Sequence, residues 1–300
     1  MKTNLLKWTV DGKYVIITGA TSGIGLAAAK ELAVRGANLG IIARNPTKAN
    51  EVARELRTLA KPGATLDIFT ADLASQQSIR EVAEDILKRW PKLDVLIHNA
   101  GAMYDTHKMT ADAIEMTWAV NHLAPYLLTM LLLDRIKESG AARIITTASH
   151  GHKMASKGIR FEDPNAEQLY SFPQIVFGGA SVRYGETKLA NIMFTWELGR
   201  RLDGTGIQTF CLDPGLVSTN FNQENGWVAR LTMSVLKRFS RTAEKGAETL
   251  LWLAGCEASK LKNGGYYRDQ HLISPSAHAR NAANAERLWQ VSMQQTGLYL

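Results

Sequence analysis

Tyr184 and Lys188 stand four positions apart in Tyr184-Gly185-Glu186-Thr187-Lys188. On a helix that spacing puts a phenol and an ammonium on one face. A phenol with its ordinary pKa near ~10 is a poor base at neutral pH, but an adjacent ammonium favours the phenolate and draws the pKa down. Such a pair suits proton exchange with an alcohol or a ketone. Alone, the spacing also fits a half-buried tyrosine and a solvated lysine on any helix. Two residues add weight to the chemical reading. Ser149 follows the apolar run Arg143–Thr147 and can orient a substrate oxygen, and Asn121 lies in the long helical stretch before it, where an amide can hold a water or mark a kink.

A second constellation is rich in glycine. Thr18-Gly19-Ala20-Thr21-Ser22-Gly23-Ile24-Gly25 follows the apolar run Tyr14–Thr18 and opens a helical pattern. In that context a glycine turn lets the backbone approach a dinucleotide pyrophosphate, and the helix N-terminus supplies N–H donors and partial positive charge. The next apolar run ends Ile41-Ile42-Ala43-Arg44-Asn45. An acidic residue there would hold a ribose 2′-hydroxyl, whereas a 2′-phosphate needs a cation. Arg44 can pair with that phosphate through two hydrogen bonds and stack on adenine, so the expected cofactor is NADP(H).

Six runs must position these residues: Tyr14–Thr18, Asn38–Ala43, Thr65–Thr70, Val95–His98, Arg143–Thr147 and Gln208–Leu212. They are apolar, β-rich and bounded by turn residues, as buried parallel strands are. Between them lie helical patterns at Leu26–Arg35, Lys48–Leu59, Ser75–Arg89, Ala111–Glu138, Gly185–Leu202 and Ala243–Leu253, long enough to cross back over a sheet. Right-handed crossovers then give an α/β fold, a Rossmann-type doubly wound parallel sheet with helices on both faces and ligands at the carboxyl ends of strands. No repeat, charge block or linker divides residues 1–300, so one domain is expected. Two segments break the alternation, 156–183 and 220–241, and are expected to cover the site. The second, with Trp227, Leu231 and Phe239, can form an amphipathic helix with Arg230, Lys237 and Arg238 on its other face.

Taken together, these residues resemble the short-chain dehydrogenase/reductase family. The glycine turn Thr18–Gly25, Asp72-Leu73, Asn99-Ala100-Gly101, Asn121, Ser149, Tyr184 with Lys188, and Pro214-Gly215 occur in family order. Val120-Asn121-His122-Leu123, Ser149-x-x-His152, Lys188-Leu189-Ala190-Asn191, Gly246-Ala247-Glu248-Thr249 and the tail around Ala285–Leu288 resemble its retinol dehydrogenase-like branch. The resemblance implies that Gly19, Thr21, Ser22, Gly23, Ile24 and Gly25 hold the cofactor with Arg44. It also implies that Asp72 and Leu73 contact adenine, that Asn99, Ala100 and Gly101 border the adenosine ribose, and that Val217 and Thr219 meet the nicotinamide amide. The implied reaction is hydride transfer between nicotinamide and a carbonyl or carbinol carbon. Tyr184 is the acid/base, Ser149 holds the oxygen, Lys188 binds the nicotinamide ribose, and Asn121 supports a proton relay. The separation of Ser149 from Tyr184, 35 positions, exceeds the family's common spacing, which puts a retinoid substrate in doubt.

Composition narrows the remaining classes. The 300 residues are 45% apolar and 21% charged, with 24 Gly and 8 Pro, which is ordinary globular usage. Thirty-five Lys and Arg against 28 Asp and Glu give +7. That sign suits an anionic cofactor, and no clustered basic motif points to nucleic acid. Cys211 and Cys256 read as reduced thiols, Cys211 as core packing. His98 reads as a core residue, and His150 and His152 lack the partners of a metal site, so no metal is expected. The uncharged stretch Met116 to Leu133 is interrupted by polar residues and reads as a core or interface helix rather than a membrane span. Met1–Val10 has no apolar run of signal-peptide length, so a cytoplasmic protein is expected, with peripheral membrane contact open. Expected partners are a lipophilic carbonyl or alcohol substrate and, from the resemblance, further copies of the chain in a homodimer or homotetramer. The competing reading is an NADP-binding sensor or scaffold without turnover.

Overall fold

The computed structural model describes residues 8–217 and 240–298. The six anticipated runs form β1 (Tyr14–Thr18), β2 (Asn38–Ala43), β3 (Leu66–Thr70), β4 (Val95–His98), β5 (Ala142–Thr147) and β6 (Ile207–Leu212). All pair in parallel, and β7 (Gly265–Arg268) and an antiparallel β8 (His271–Leu272) extend the sheet in the order β3-β2-β1-β4-β5-β6-β7-β8. The chain builds outward from β1 to β3 and then returns to β4. The carboxyl ends of β1 and β4 therefore bound the crevice where such sheets bind ligands.

Strand alternation sorts the core into layers. Val15 and Ile17 pack with α1 (Gly23–Val34), α2 (Pro46–Leu59) and α8 (Ala243–Gly255) on one face. Ile16 points the other way, into the layer of α3 (Gln76–Arg89), α5 (Ala124–Glu138), α7 (Gly179–Arg201) and α9 (Ala282–Thr296). Burial on both faces is why these strands read as continuous apolar runs.

Two helices differ most from the sequence reading. The pattern Ala111–Glu138 is not one helix. Met109 bridges Glu115 across a turn with Ala113 at φ +57, and helix starts only at α4 (Met116–Trp118), capped by the Glu115 carboxylate on the Thr117 and Trp118 N–H groups. A π-helical turn, Ala119–Leu123, then joins α4 to α5. α7 begins six residues earlier than expected, at Gly179, and so carries both Tyr184 and Lys188. Met116–Glu138 is long and apolar enough to cross a membrane, yet 72% of its most apolar window is buried inside the protein. A short α6 (Glu167–Tyr170) lies in the segment 156–183.

Candidate active site

The glycine turn is pinned from β4. The Asn99 and Ala100 N–H groups both donate to Thr18 Oγ1 at 3.0 Å, and the Asn99 amide donates to the Thr18 and Gly19 carbonyls at 3.2 and 3.3 Å. Gly19 has φ +71, and a Cβ there would lie 2.9 Å from Ala100 Cα, so the turn closes only with glycine. A Cβ on Gly25 would run into the Gly19 carbonyl. Ser22, the residue before α1, makes no side-chain cap bond, and the first turn carries no acidic residue. The N–H donors and positive end of α1 thus sit beside the switch point, a cradle that suits a pyrophosphate.

Arg44 is the first residue beyond β2 and is exposed, with Asn45 committed to capping α2 through Lys48 N–H at 3.0 Å. The Asp72 carboxylate accepts from its own loop at Ala74 N–H, 3.0 Å. Leu73 lies with Thr18, His98, Ala100 and Val120 around a small cleft at the same strand ends. Val217 is buried and pairs as an isolated bridge with Arg241. Thr219 and nearly all of 220–241 lie outside the described residues.

The four polar residues of the sequence reading converge at the ends of β4 and β5. The Tyr184 phenol bonds the Ser149 side chain, whose Oγ also accepts from Gly151 N–H at 3.0 Å. Lys188 Nζ lies 5.5 Å from the Tyr184 ring centroid and donates to the Thr147 carbonyl at 3.0 Å. A Cβ on Gly101 would be 3.3 Å from both Asn121 Oδ1 and Lys188 Nζ, so the β4 loop, α4–α5 and α7 meet there. Asn121 uses its whole amide structurally. Oδ1 accepts from Ala102 N–H at 2.8 Å, and Nδ2 donates to Ala102 O at 2.8 Å and Thr187 Oγ1 at 3.1 Å. Pro125, four residues on, has no N–H to close an α-helical bond to the Asn121 carbonyl, and the turn here is π-helical. That signal was present in the sequence.

Electrostatics changes one expectation. Burial pushes the Tyr184 phenol up to about 12; the Ser149 hydrogen bond opposes the rise and the Asp213 charge adds to it. Lys188 is itself brought down to about 8 by burial. Desolvation is the largest cause of the rise, so burial favours the protonated phenol.

Other residues were missed because their partners are remote in sequence. Arg183, adjacent to Tyr184 and 1% exposed, donates through Nε to Glu115 Oε2 at 2.8 Å and through Nη1 to Glu186 Oε2 at 3.1 Å. Since Glu115 caps the helix that leads to Asn121, this ion pair clamps α4 to α7. The segment 156–183 joins the clamp: Tyr170 Oη donates to Glu115 Oε1 at 3.3 Å, and Arg160 lies 3.5 Å from Glu186. Its first part packs on α9, where Arg287 pairs with Glu162, while Phe172, Val176 and Phe177 are exposed. His98 is buried and bonded to Thr129 Oγ1 at 2.7 Å, and Cys211 is buried, both as expected. Among the described residues there is no cluster of three His, Cys, Asp or Glu fit for a metal.

A doubly wound sheet with this turn at its switch point and this tyrosine beside it defines a nucleotide-binding oxidoreductase of the Rossmann type. Residues 13–160 match the family model for short chain dehydrogenases, and the chain belongs to the short-chain dehydrogenase/reductase family, in its retinol dehydrogenase-like branch. It is 38% identical over 289 residues to retinol dehydrogenase 12 of Mus musculus, covering 96% of this chain and 88% of that one. To a candidate daunorubicin C-13 ketoreductase of Streptomyces sp. (strain C5) it is also 38% identical, covering 96% and 94%. The fold is similar to the crystal structure of L-sorbose reductase from Gluconobacter frateurii with NADPH and L-sorbose, at TM-score 0.63 and 25% identity over 87% of this chain and 96% of that one. An oxidoreductase acting at an alcohol or carbonyl carbon with NAD(P) follows from the family.

Proposed function

We propose that the chain is an NADP(H)-dependent carbonyl reductase or alcohol dehydrogenase for a lipophilic substrate, with Tyr184 as its acid/base. The observation that carries the reading is the Tyr184 phenol bonded to Ser149 with Lys188 at its ring, on elements that border the glycine turn. Arg44 at the end of β2, with no carboxylate in the matching place, favours a 2′-phosphate. Relatives named for retinol dehydrogenation and for reduction of the daunorubicin C-13 ketone support an alcohol or carbonyl carbon as the reacting centre.

When bound, the cofactor supplies or accepts the hydride. In reduction Ser149 Oγ holds the carbonyl oxygen and Tyr184 Oη gives it a proton; in oxidation both roles reverse. Lys188 would hold the nicotinamide ribose. Asn121 would support the relay through which the proton is replaced. Gly19, Thr21, Ser22, Gly23, Ile24 and Gly25 would hold the pyrophosphate; Asp72, Leu73, Asn99, Ala100 and Gly101 the adenosine half; Val217 and Thr219 the nicotinamide amide.

The test is a panel of aldehydes, ketones and secondary alcohols followed at the NADPH absorbance, run in parallel with NADH. Tyr184→Phe should lose turnover by about 10²–10⁴ fold while still binding NADPH. Near-normal turnover in that variant rejects the acid/base assignment, and preference for NADH rejects the role of Arg44. NADPH binding without oxidation across the whole panel would instead favour a sensor or scaffold.

A further inference from the structure

His152 closes the motif Ser149-x-x-His152, and the proposed mechanism gives it no part. It is 1% exposed, in the 3₁₀ turn His150–Met154 that Ser149 opens. Its Nδ1 lies 2.8 Å from the Ser149 carbonyl, and its Nε2 lies 3.2 Å from the main-chain nitrogen of Ser276, 124 residues away. A carbonyl oxygen only accepts and a main-chain N–H only donates. The ring therefore carries its proton on Nδ1 and leaves Nε2 bare, one neutral tautomer that joins the two segments. The Tyr266 ring meets it edge to face, with 5.5 Å between centroids.

What the ring holds lies next to the reacting groups. The Ser149 carbonyl also accepts from the His152 N–H at 3.1 Å, and Ser149 Oγ accepts from Gly151 N–H at 3.0 Å. The turn packs without slack on α7. A Cβ on Gly185, the residue after Tyr184, would come 2.9 Å from the Gly151 carbonyl, and one on Gly151 would come 3.1 Å from Tyr184 Cε1 and 3.3 Å from Ser149 Oγ. A shift of the turn thus moves Ser149 Oγ against Tyr184. Bonds within the turn set its shape, and the bond from Ser276 ties it to a distant part of the chain. Ser276 is itself placed: its carbonyl accepts from Ala279 N–H at 3.1 Å, and His278 Nε2 donates to the Ser156 carbonyl at 2.9 Å.

We propose that His152 is a positioning residue that acts through Ser149, its ring tying the Ser149 turn to the Ser276 main chain so that Ser149 Oγ is held beside Tyr184 at the substrate oxygen. The inference rests on the reading of Ser149 as the group that holds that oxygen. Burial draws the imidazole pKa down, which keeps the ring in the neutral form that both bonds require. A reacting group misplaced by about 1 Å loses roughly 10² in rate, so releasing the turn should lower the hydride-transfer rate by about 10–100 fold. The glycine turn has no bond to His152, and NADPH binding there should hold.

The experiment is single-turnover hydride transfer, which reads residual rates, in His152→Leu and His152→Asn, each alone and combined with Ser149→Ala. Leucine removes both ring nitrogens. Asparagine keeps an N–H near the Nδ1 position for the Ser149 carbonyl and loses the acceptor for Ser276. Both single variants should lose about 10–100 fold while keeping NADPH affinity by fluorescence titration. In the Ser149→Ala background neither should cost anything further, because a residue acting through Ser149 has nothing left to position. Wild-type rates in the single variants, or losses that multiply with that of Ser149→Ala as a general structural defect would, overturn the proposal. If His152→Leu does not fold, His152→Asn decides. Nitrogen NMR of the wild type with labelled histidine needs no variant: a slowly exchanging ring proton on Nδ1 with Nε2 bare is expected, and its absence overturns the tie. The parent reading fails separately: Ser149→Ala at full rate rejects the role of Ser149, whereas a slow Ser149→Ala with His152 variants at full rate rejects only the part given to His152.

Discussion

Arg183→Met removes the guanidinium that joins α4 to α7 while keeping most of its volume. Arg183 is 1% exposed, and its partners Glu115 and Glu186 are fully buried at 2.8 and 3.1 Å. Breaking a buried pair from one side leaves carboxylates without compensation, at a cost of about 3–5 kcal/mol. Glu115 keeps the N–H groups of Thr117 and Trp118 and the Tyr170 hydroxyl, and Glu186 keeps Arg160 at 3.5 Å, so the middle of that range, about 4 kcal/mol, applies. For 300 residues unfolding with an entropy of about 2.1 cal/mol/K each, Tm should fall by about 6 °C. Denaturant titration and calorimetry of wild type and variant read both numbers. Because Asn121 lies in the turn directly after α4 and Tyr184 lies on α7, kcat should fall by more than NADPH binding at the glycine turn weakens. Adding Glu115→Gln to the methionine variant removes one orphaned charge and should recover about 1 kcal/mol or more. A loss below about 1 kcal/mol, or a double variant weaker than the single by the full cost of Glu115→Gln alone, refutes the clamp.

Acid should destabilise the fold through two histidines. Burial holds His98 and His122 neutral, at about 3, well below the ordinary value of 6.5. The unfolded chain takes up protons there before the folded one, so stability is full above pH 6.5 and lost as pH falls toward 3. At pH 5 each costs about 2 kcal/mol, and His98→Gln should flatten the slope of unfolding free energy between pH 6.5 and 5. An identical slope in the variant removes His98 as the cause. Gly25→Ala pushes a methyl into the Gly19 carbonyl and should weaken NADPH binding at least about tenfold by fluorescence titration, with about 1–3 kcal/mol lost in stability. Arg44→Ala should cut the NADPH over NADH preference in kcat/KM by about 10–100 fold, the worth of one charged hydrogen-bonded contact. Equal preference before and after would show that another group reads the 2′ position.

Much of the architecture was legible because it is local. Val15, Ile16 and Ile17 had to be buried on both faces, and their run announced a central parallel strand. The glycine turn was legible because Gly19 and Gly25 answer to sterics within a few residues and one neighbouring strand. The strand β7 was not, since Gly265–Arg268 offers only four residues without an apolar run, and its pairing with β6 supplies the order. The start of α4 was hidden in the same way: a helical pattern from Ala111 gives no sign that Glu115 will turn back to cap Met116–Trp118.

The sequence by itself determined the order of elements, the place of the glycine turn after β1, and the helix face shared by Tyr184 and Lys188. Each depends on residue type and on periods of two or nearly four along the chain. Only the tertiary structure decided what those groups are worth. Arg183 meets Glu115 from 68 residues away, and Asp213 comes beside the Ser149 strand end through the β5–β6 register. Charge acts through space and desolvation through the depth of packing, and neither is written in spacing along the chain. So the sequence reads an ammonium four residues from Tyr184 as drawing its pKa down, while the depth of packing pushes the phenol up.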